Sequence, residues 1–150
     1  MTAGHEIPQR QHPTSDDGYL EQMTRSIFES GFSWEVIRMK WPAFQEAFDG
    51  FQVHVVAAYT EGDLLRLLHN PDIVRNGRKI NAAIQNARTM QQLASEHGSF
   101  FRYLRTLDGL TYAERRKLLT QQFKYLGPTG LFVLLWRVDE PVPDWDERNI

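Results

Sequence analysis

Helix breakers recur at short intervals along this chain, and between them the apolar residues keep helical spacing. Gly31, Asp49-Gly50, Asn70-Pro71, Gly98 and Gly127-Pro128 each interrupt such a run, so each run closes only a few helical turns before it must end. Leu20, Met23, Ile27 and Phe28 fall on one face of a first helix, with Ser15 or Asp16 as its cap and Gly31 as its stop. Ser33 can cap a short second helix, SWEVIRMKW, and Pro42 suits the first turn of a third that ends at Asp49-Gly50. Thr60 with Asp63, and Thr111 with Glu114, have the capping-box spacing. A longer helix is expected from about Arg78 to His97, where Ile80, Ile84, Ala87 and Ala94 lie near one stripe. No strand alternation or internal repeat is visible. The expected fold is all-α, an orthogonal multi-helix arrangement of about eight or nine short helices.

With 150 residues, among them 9 Phe, 5 Tyr and 4 Trp, the chain can fill one core and is short for two. The complete lack of cysteine excludes disulfides, thiolate catalysis and sulfur-ligated zinc. No apolar stretch approaches the roughly 18–20 residues of a membrane span, and the N-terminus lacks the apolar centre of a signal peptide, so the expected compartment is the cytoplasm. Residues 1–15 are polar, carry two prolines and read as a flexible arm; 16–138 form a single helical domain, and 139–150 an acidic tail. The net charge of −2 hides an uneven division: residues 64–138 carry +8, against −6 for residues 1–63 and −4 for the tail. That asymmetry fits either a basic working face or ordinary solvated helix surface.

Three constellations carry candidate chemistry. In FKYLGPTGLFVLL, two apolar helical runs flank Gly127-Pro128-Thr129-Gly130, within a hairpin over 115–138. Glycine admits backbone angles that a side chain resists, and a bare helix start presents N–H groups able to hold a phosphate oxygen. The alternative is a plain interhelical turn. In SIFESGFSWEVIRMKWPAF, Trp34 opens a helix where it can stack on an extruded base or line the core. Glu29, five residues earlier, is a candidate catalytic carboxylate that can contact a base edge or stabilise positive charge on a sugar; the alternative is a solvated helix face. In DIVRNGRKINAAIQNAR, Arg75, Arg78, Lys79 and Arg88 follow Asp72 without another acid. The histidines show no metal-ligand spacing and no triad order.

Taken in order, YLEQMTRSIFESGFSW, WPAFQEAFDGF, DIVRNGRKINAAIQNAR, HGSFFRYL and FKYLGPTGLF resemble the DNA-3-methyladenine glycosylase I family of the helix-hairpin-helix glycosylase superfamily, over most of residues 19–136. The resemblance implies an enzyme of base-excision repair that bends double-stranded DNA, flips out an alkylated purine such as 3-methyladenine and hydrolyses its N-glycosidic bond. A monomer without a cofactor is expected. Trp34 matches the family tryptophan that stacks on the flipped base, with Ser26 and Phe28 beside it in the base-binding set. Gly127, Thr129, Gly130 and Lys124, with Arg75, Arg78 and Lys79, make up the expected backbone-binding set. Ser26 stands where the family has its base-recognising glutamate, and Glu29, one helical turn on, is a substitute on the same face. Gly4 falls at the family's pocket tyrosine. His5 aligns with one ligand of the family's structural zinc, but the Cys ligands are missing and the tail has neither His nor Cys, so no metal is expected. Two other classes stay open: a non-catalytic helix-hairpin-helix DNA-binding protein that has lost the pocket chemistry, and a helical protein-interaction domain.

Overall fold

The structure, a computed structural model, describes residues 6–149. Every regular element among them is helical: α1 (Asp16–Glu29), α2 (Trp34–Ala47), α3 (Val53–Ala57), α4 (Glu61–Leu68), α5 (Gly77–His97), α6 (Phe100–Arg105), α7 (Tyr112–Gln122) and α8 (Pro128–Arg137), with 3-10 turns at Asp49–Phe51 and Trp145–Glu147. The all-α expectation holds. α1 packs on α5 at the centre; α3, α4 and α6 also pack on α5, and α8 packs on α1. Leu20, Phe28, Phe44, Ile80, Met90 and Leu131 are among the side chains that fill the main core between them.

Two expected helices prove to be one. Pro42 sits inside α2, where it removes a rung of the helix ladder. Packing offsets that loss: Trp41 and Phe44 are buried and stacked with ring centroids 5.0 Å apart, and the Trp41 indole N–H donates to Glu21 at 2.8 Å. Pro42 itself faces solvent.

Local capping signals are mostly kept. Ser33, Asn76, Ser99 and Thr111 each accept a backbone N–H at the start of a helix. Ser15 occupies the cap position of α1 but makes no such bond. The acids that follow it cap other helices instead: Asp16 accepts from Phe100 N and Asp17 from Val53 N, both at 2.9 Å, so the first turn of α1 closes the starts of α6 and α3.

The described part of the N-terminal arm has no helix, yet it is fastened to the end of α8. Gln11 N donates to Arg137 O at 2.9 Å, the Trp136 indole donates to Pro8 O at 2.7 Å, and the Arg10 guanidinium lies over the Trp136 ring and donates to Trp136 O. The acidic tail folds back as well. Trp145 is buried against Phe132 and Trp136, and the buried Glu140 carboxylate is paired with Arg105.

The hairpin between α7 and α8 is set by a residue far away in sequence. Asn86, fully buried on α5, donates through Nδ2 to Lys124 O at 3.1 Å and accepts from Lys124 N at 2.7 Å. Asn86→Ala strands both backbone groups and is expected to cost about 2 kcal/mol of unfolding free energy, read by urea denaturation.

Candidate active site

The hairpin presents a bare helix start. Gly127 is the N-cap of α8 and Pro128 its first residue, so no side chain caps this end, and the amides of Thr129 and Gly130 precede the first rung, Leu131 N to Gly127 O at 2.8 Å. The glycines are not there for unusual backbone angles. Gly127 has φ −79°, and the left-handed residue of the turn is Tyr125, at φ 58°. What the glycines supply is open surface. A Cβ on Gly127 would meet nothing within 4 Å, and one on Gly130 would touch only Leu126 at 3.6 Å.

A cleft of about 1070 Å³ opens between the arm, α1 and the ends of α2 and α8. Pro8, Gln11 and His12 form one wall, and Arg25, Glu29, Trp34 and Arg137 line the other. Trp34 is half-buried, as the first residue of a helix capped by Ser33. Glu29 is buried, with 2% of its side chain exposed, and both of its oxygens are engaged. Arg137 Nη1 donates to Oε1 at 2.5 Å and Nη2 to Oε2 at 3.0 Å, while Arg25 Nε reaches Oε2 at 3.3 Å. The Arg137 guanidinium also lies over the Trp34 indole, 5.0 Å from its centroid. The site therefore holds a planar cation between an aromatic face and a buried carboxylate.

Other expected site residues lie elsewhere. Phe28 is fully buried and packs edge-on against Phe44 at 4.7 Å, so it belongs to the core and not to a base pocket. Ser26 is 2% exposed, does not line the cleft, and its hydroxyl has no partner among the described residues. Lys79, expected at a phosphate, is 3% exposed. Its ammonium donates to Phe28 O at 3.1 Å and Ser30 O at 2.7 Å, closing the C-terminal end of α1. Burial lowers its pKa below the ordinary lysine value. Arg66, Arg88 and Arg105 likewise spend hydrogen bonds on groups of the protein itself, Arg66 and Arg88 from exposed positions. Arg75, Arg78 and Lys124 remain exposed.

Lys79 also ties the two candidate turns together. Its ammonium is 5.8 Å from the ring of Phe32, on the turn before Trp34, and 5.8 Å from that of Tyr125, on the hairpin. Both rings are exposed, so the cleft-side turn and the hairpin adjoin on one face.

Gly4 and His5 lie outside the described residues. Among the described residues no three His, Cys, Asp or Glu side chains gather as a metal site. Arm and tail are joined instead by the Arg10 contacts and by ion pairing of Arg10 with Asp139 at 3.2 Å.

Sequence reasoning missed Arg137, Arg25 and Asn86. The Arg25–Glu29 spacing of four is a readable helix pair, whereas nothing local marks Arg137. Two variants separate these roles. Ser26→Ala removes an orphaned hydroxyl and should leave stability within about 1 kcal/mol. Glu29→Ala strands buried arginine charge and should cost about 3–5 kcal/mol in the same denaturation experiment.

Against this geometry stand the known proteins. A 3-methyladenine DNA glycosylase I from Staphylococcus aureus is 27% identical with a TM-score of 0.75, over 85% of this chain and 78% of that one. A variant of 3-methyladenine DNA glycosylase I in complex with 3-methyladenine is also 27% identical, with a TM-score of 0.75 over 89% and 81% of the two chains. Another 3-methyladenine DNA glycosylase I is 25% identical, TM-score 0.73, over 85% and 81%. Residues 10–126 match the methyladenine glycosylase family, and the chain belongs to it.

Proposed function

We propose that this protein is a monomeric DNA N-glycosylase of base-excision repair, which extrudes an alkylated purine such as 3-methyladenine from double-stranded DNA and hydrolyses its glycosidic bond in the cytoplasm. The observation that carries the reading is Trp34, set at the wall of a cleft large enough for a purine and beside a buried carboxylate, in a chain of this family. The relative bound to 3-methyladenine makes that base the first to test.

In this reading the Thr129 and Gly130 amides and the exposed Lys124, Arg75 and Arg78 hold phosphates without reading sequence. Phe32, 42% exposed on the turn before Trp34, is an apolar group able to enter the gap an extruded base leaves. The base enters the cleft and stacks on Trp34. Alkylation places positive charge on the purine, which weakens its bond to C1′. As that bond breaks, its electron pair moves onto the base nitrogen and neutralises the charge. A water oxygen bonds to C1′ and its proton passes to solvent, so no strong general base is required. Glu29, held by Arg137 and Arg25, is the carboxylate that borders the cleft beside the base.

A second reading, a DNA-binding protein without catalysis, draws support from the engagement of both Glu29 oxygens by arginines and from serine at position 26. Base release from methylated DNA decides between them: a glycosylase frees 3-methyladenine, and a binding protein holds the DNA and frees nothing. Trp34→Ala should lower kcat/KM about 10- to 100-fold, the equivalent of the roughly 1–3 kcal/mol that an aromatic platform gives a stacked base. Gly127→Leu, whose side chain would project into open space, should lower the melting temperature by only a few degrees, the loss of a favourable N-cap residue, and weaken DNA binding about tenfold or more, equally for all sequences. A sequence-selective loss would contradict a backbone grip.

A further inference from the structure

Arg137 lies where the proposed mechanism puts the base. Its guanidinium covers the Trp34 indole at 5.0 Å and presents a two-pronged N–H edge to Glu29. A guanidinium is planar, delocalised and weakly hydrated. A purine alkylated on a ring nitrogen shares those properties while it is attached to DNA: it is flat, carries a spread positive charge, and offers amino N–H donors on its edge. An aromatic face with a carboxylate beside it suits either cation by the same two forces, attraction to the ring quadrupole and charge-assisted hydrogen bonding.

The burial of Glu29 turns this likeness into a selection rule. Its carboxylate is inside the protein, and a buried charge must keep a partner. Arg25 reaches only Oε2, through Nε at 3.3 Å, and its guanidinium lies towards the Trp41 ring, 5.6 Å from the centroid. Oε1 has Arg137 alone among the described residues. If Arg137 swings off Trp34 to admit a neutral purine, Oε1 loses its hydrogen bond and the carboxylate keeps only the single 3.3 Å contact from Arg25. If the incoming purine is itself cationic, one positive charge replaces another. Arg137 is the last residue of α8, and its side chain, 9% exposed, borders the cleft into which the displaced guanidinium would turn.

From this arrangement we infer that Arg137 is the resident occupant of the base seat and a specificity-determining residue. It must be displaced for a base to stack on Trp34, and the exchange favours cationic purines over undamaged neutral ones. The inference rests on the glycosylase reading for the identity of the incoming group, but it concerns binding and needs no bond cleavage.

The test uses two small probes that lack a glycosidic bond, 3,9-dimethyladeninium, whose positive charge is fixed, and neutral 9-methyladenine, titrated calorimetrically into the whole protein. The wild type should bind the cation at least about 30-fold more tightly than the neutral base. Arg137→Met should bind the cation about tenfold more tightly than the wild type, since the guanidinium no longer has to be expelled, and added methylguanidinium should compete with it. The double variant Glu29→Gln with Arg137→Met leaves neither member of the Glu29–Arg137 ion pair and carries the test should the single variant fail to fold; in it the preference should shrink to less than about threefold. Equal binding of the two probes by the wild type, unchanged or weaker cation binding by Arg137→Met, or a preference that survives in the double variant would each overturn the inference. Base release from methylated DNA is scored separately. A protein that shows the cation preference but frees no base sinks the glycosylase reading alone, and an active enzyme without the Arg137→Met gain sinks this inference alone.

Discussion

A fold made of short helices has many ends, and every buried end must find partners for N–H or C=O groups that the helix cannot satisfy itself. This constraint organises the molecule around α1. Its first-turn acids close α3 and α6, Lys79 closes its own C-terminal end, and its Glu29 takes the arginine at the end of α8. The start of α8, like that of α1, has no side-chain cap, and at α8 the N-cap is a glycine with no side chain to offer one. The polar groups left outward at the hairpin are backbone amides, the kind of donor that suits a phosphate of any sequence.

The cleft follows the opposite logic. There the polar groups are spent on one another, and carboxylate, guanidinium and indole form one compact assembly. Such an assembly is stable only while the buried carboxylate keeps a cationic partner. Any partner that enters has to bring its own charge or leave the interior worse off than before.

What the sequence disclosed was mostly local. Ser33, Ser99, Thr111 and the Thr60–Asp63 pair could be read because a cap and its helix are neighbours in the chain. Trp34 and Glu29 were legible as candidates from spacing, and both border the cleft. Burial was harder to see. Lys79 and Arg78 are adjacent and look alike as sequence, yet one is enclosed by carbonyls 49 and 51 residues away and the other faces water. Pro42 was mistaken for a boundary because aromatic packing outweighed its lost rung, and Phe28 was placed in the pocket because its helix face could not be assigned to core or cleft without neighbours. Arg137 gave no signal, since its partners stand 103 and 108 residues earlier in the chain.

One helix joins the two ends of this site. α8 begins at the hairpin and finishes at Arg137, and its ten residues span about 15 Å. The separation between strand grip and base seat is therefore a rigid ruler, graduated in steps of about 1.5 Å with a turn of about 100° at each step. One residue inserted between Gly127 and Arg137 would lengthen the ruler and also swing the guanidinium off the indole, so the register of this segment is fixed more tightly than its composition.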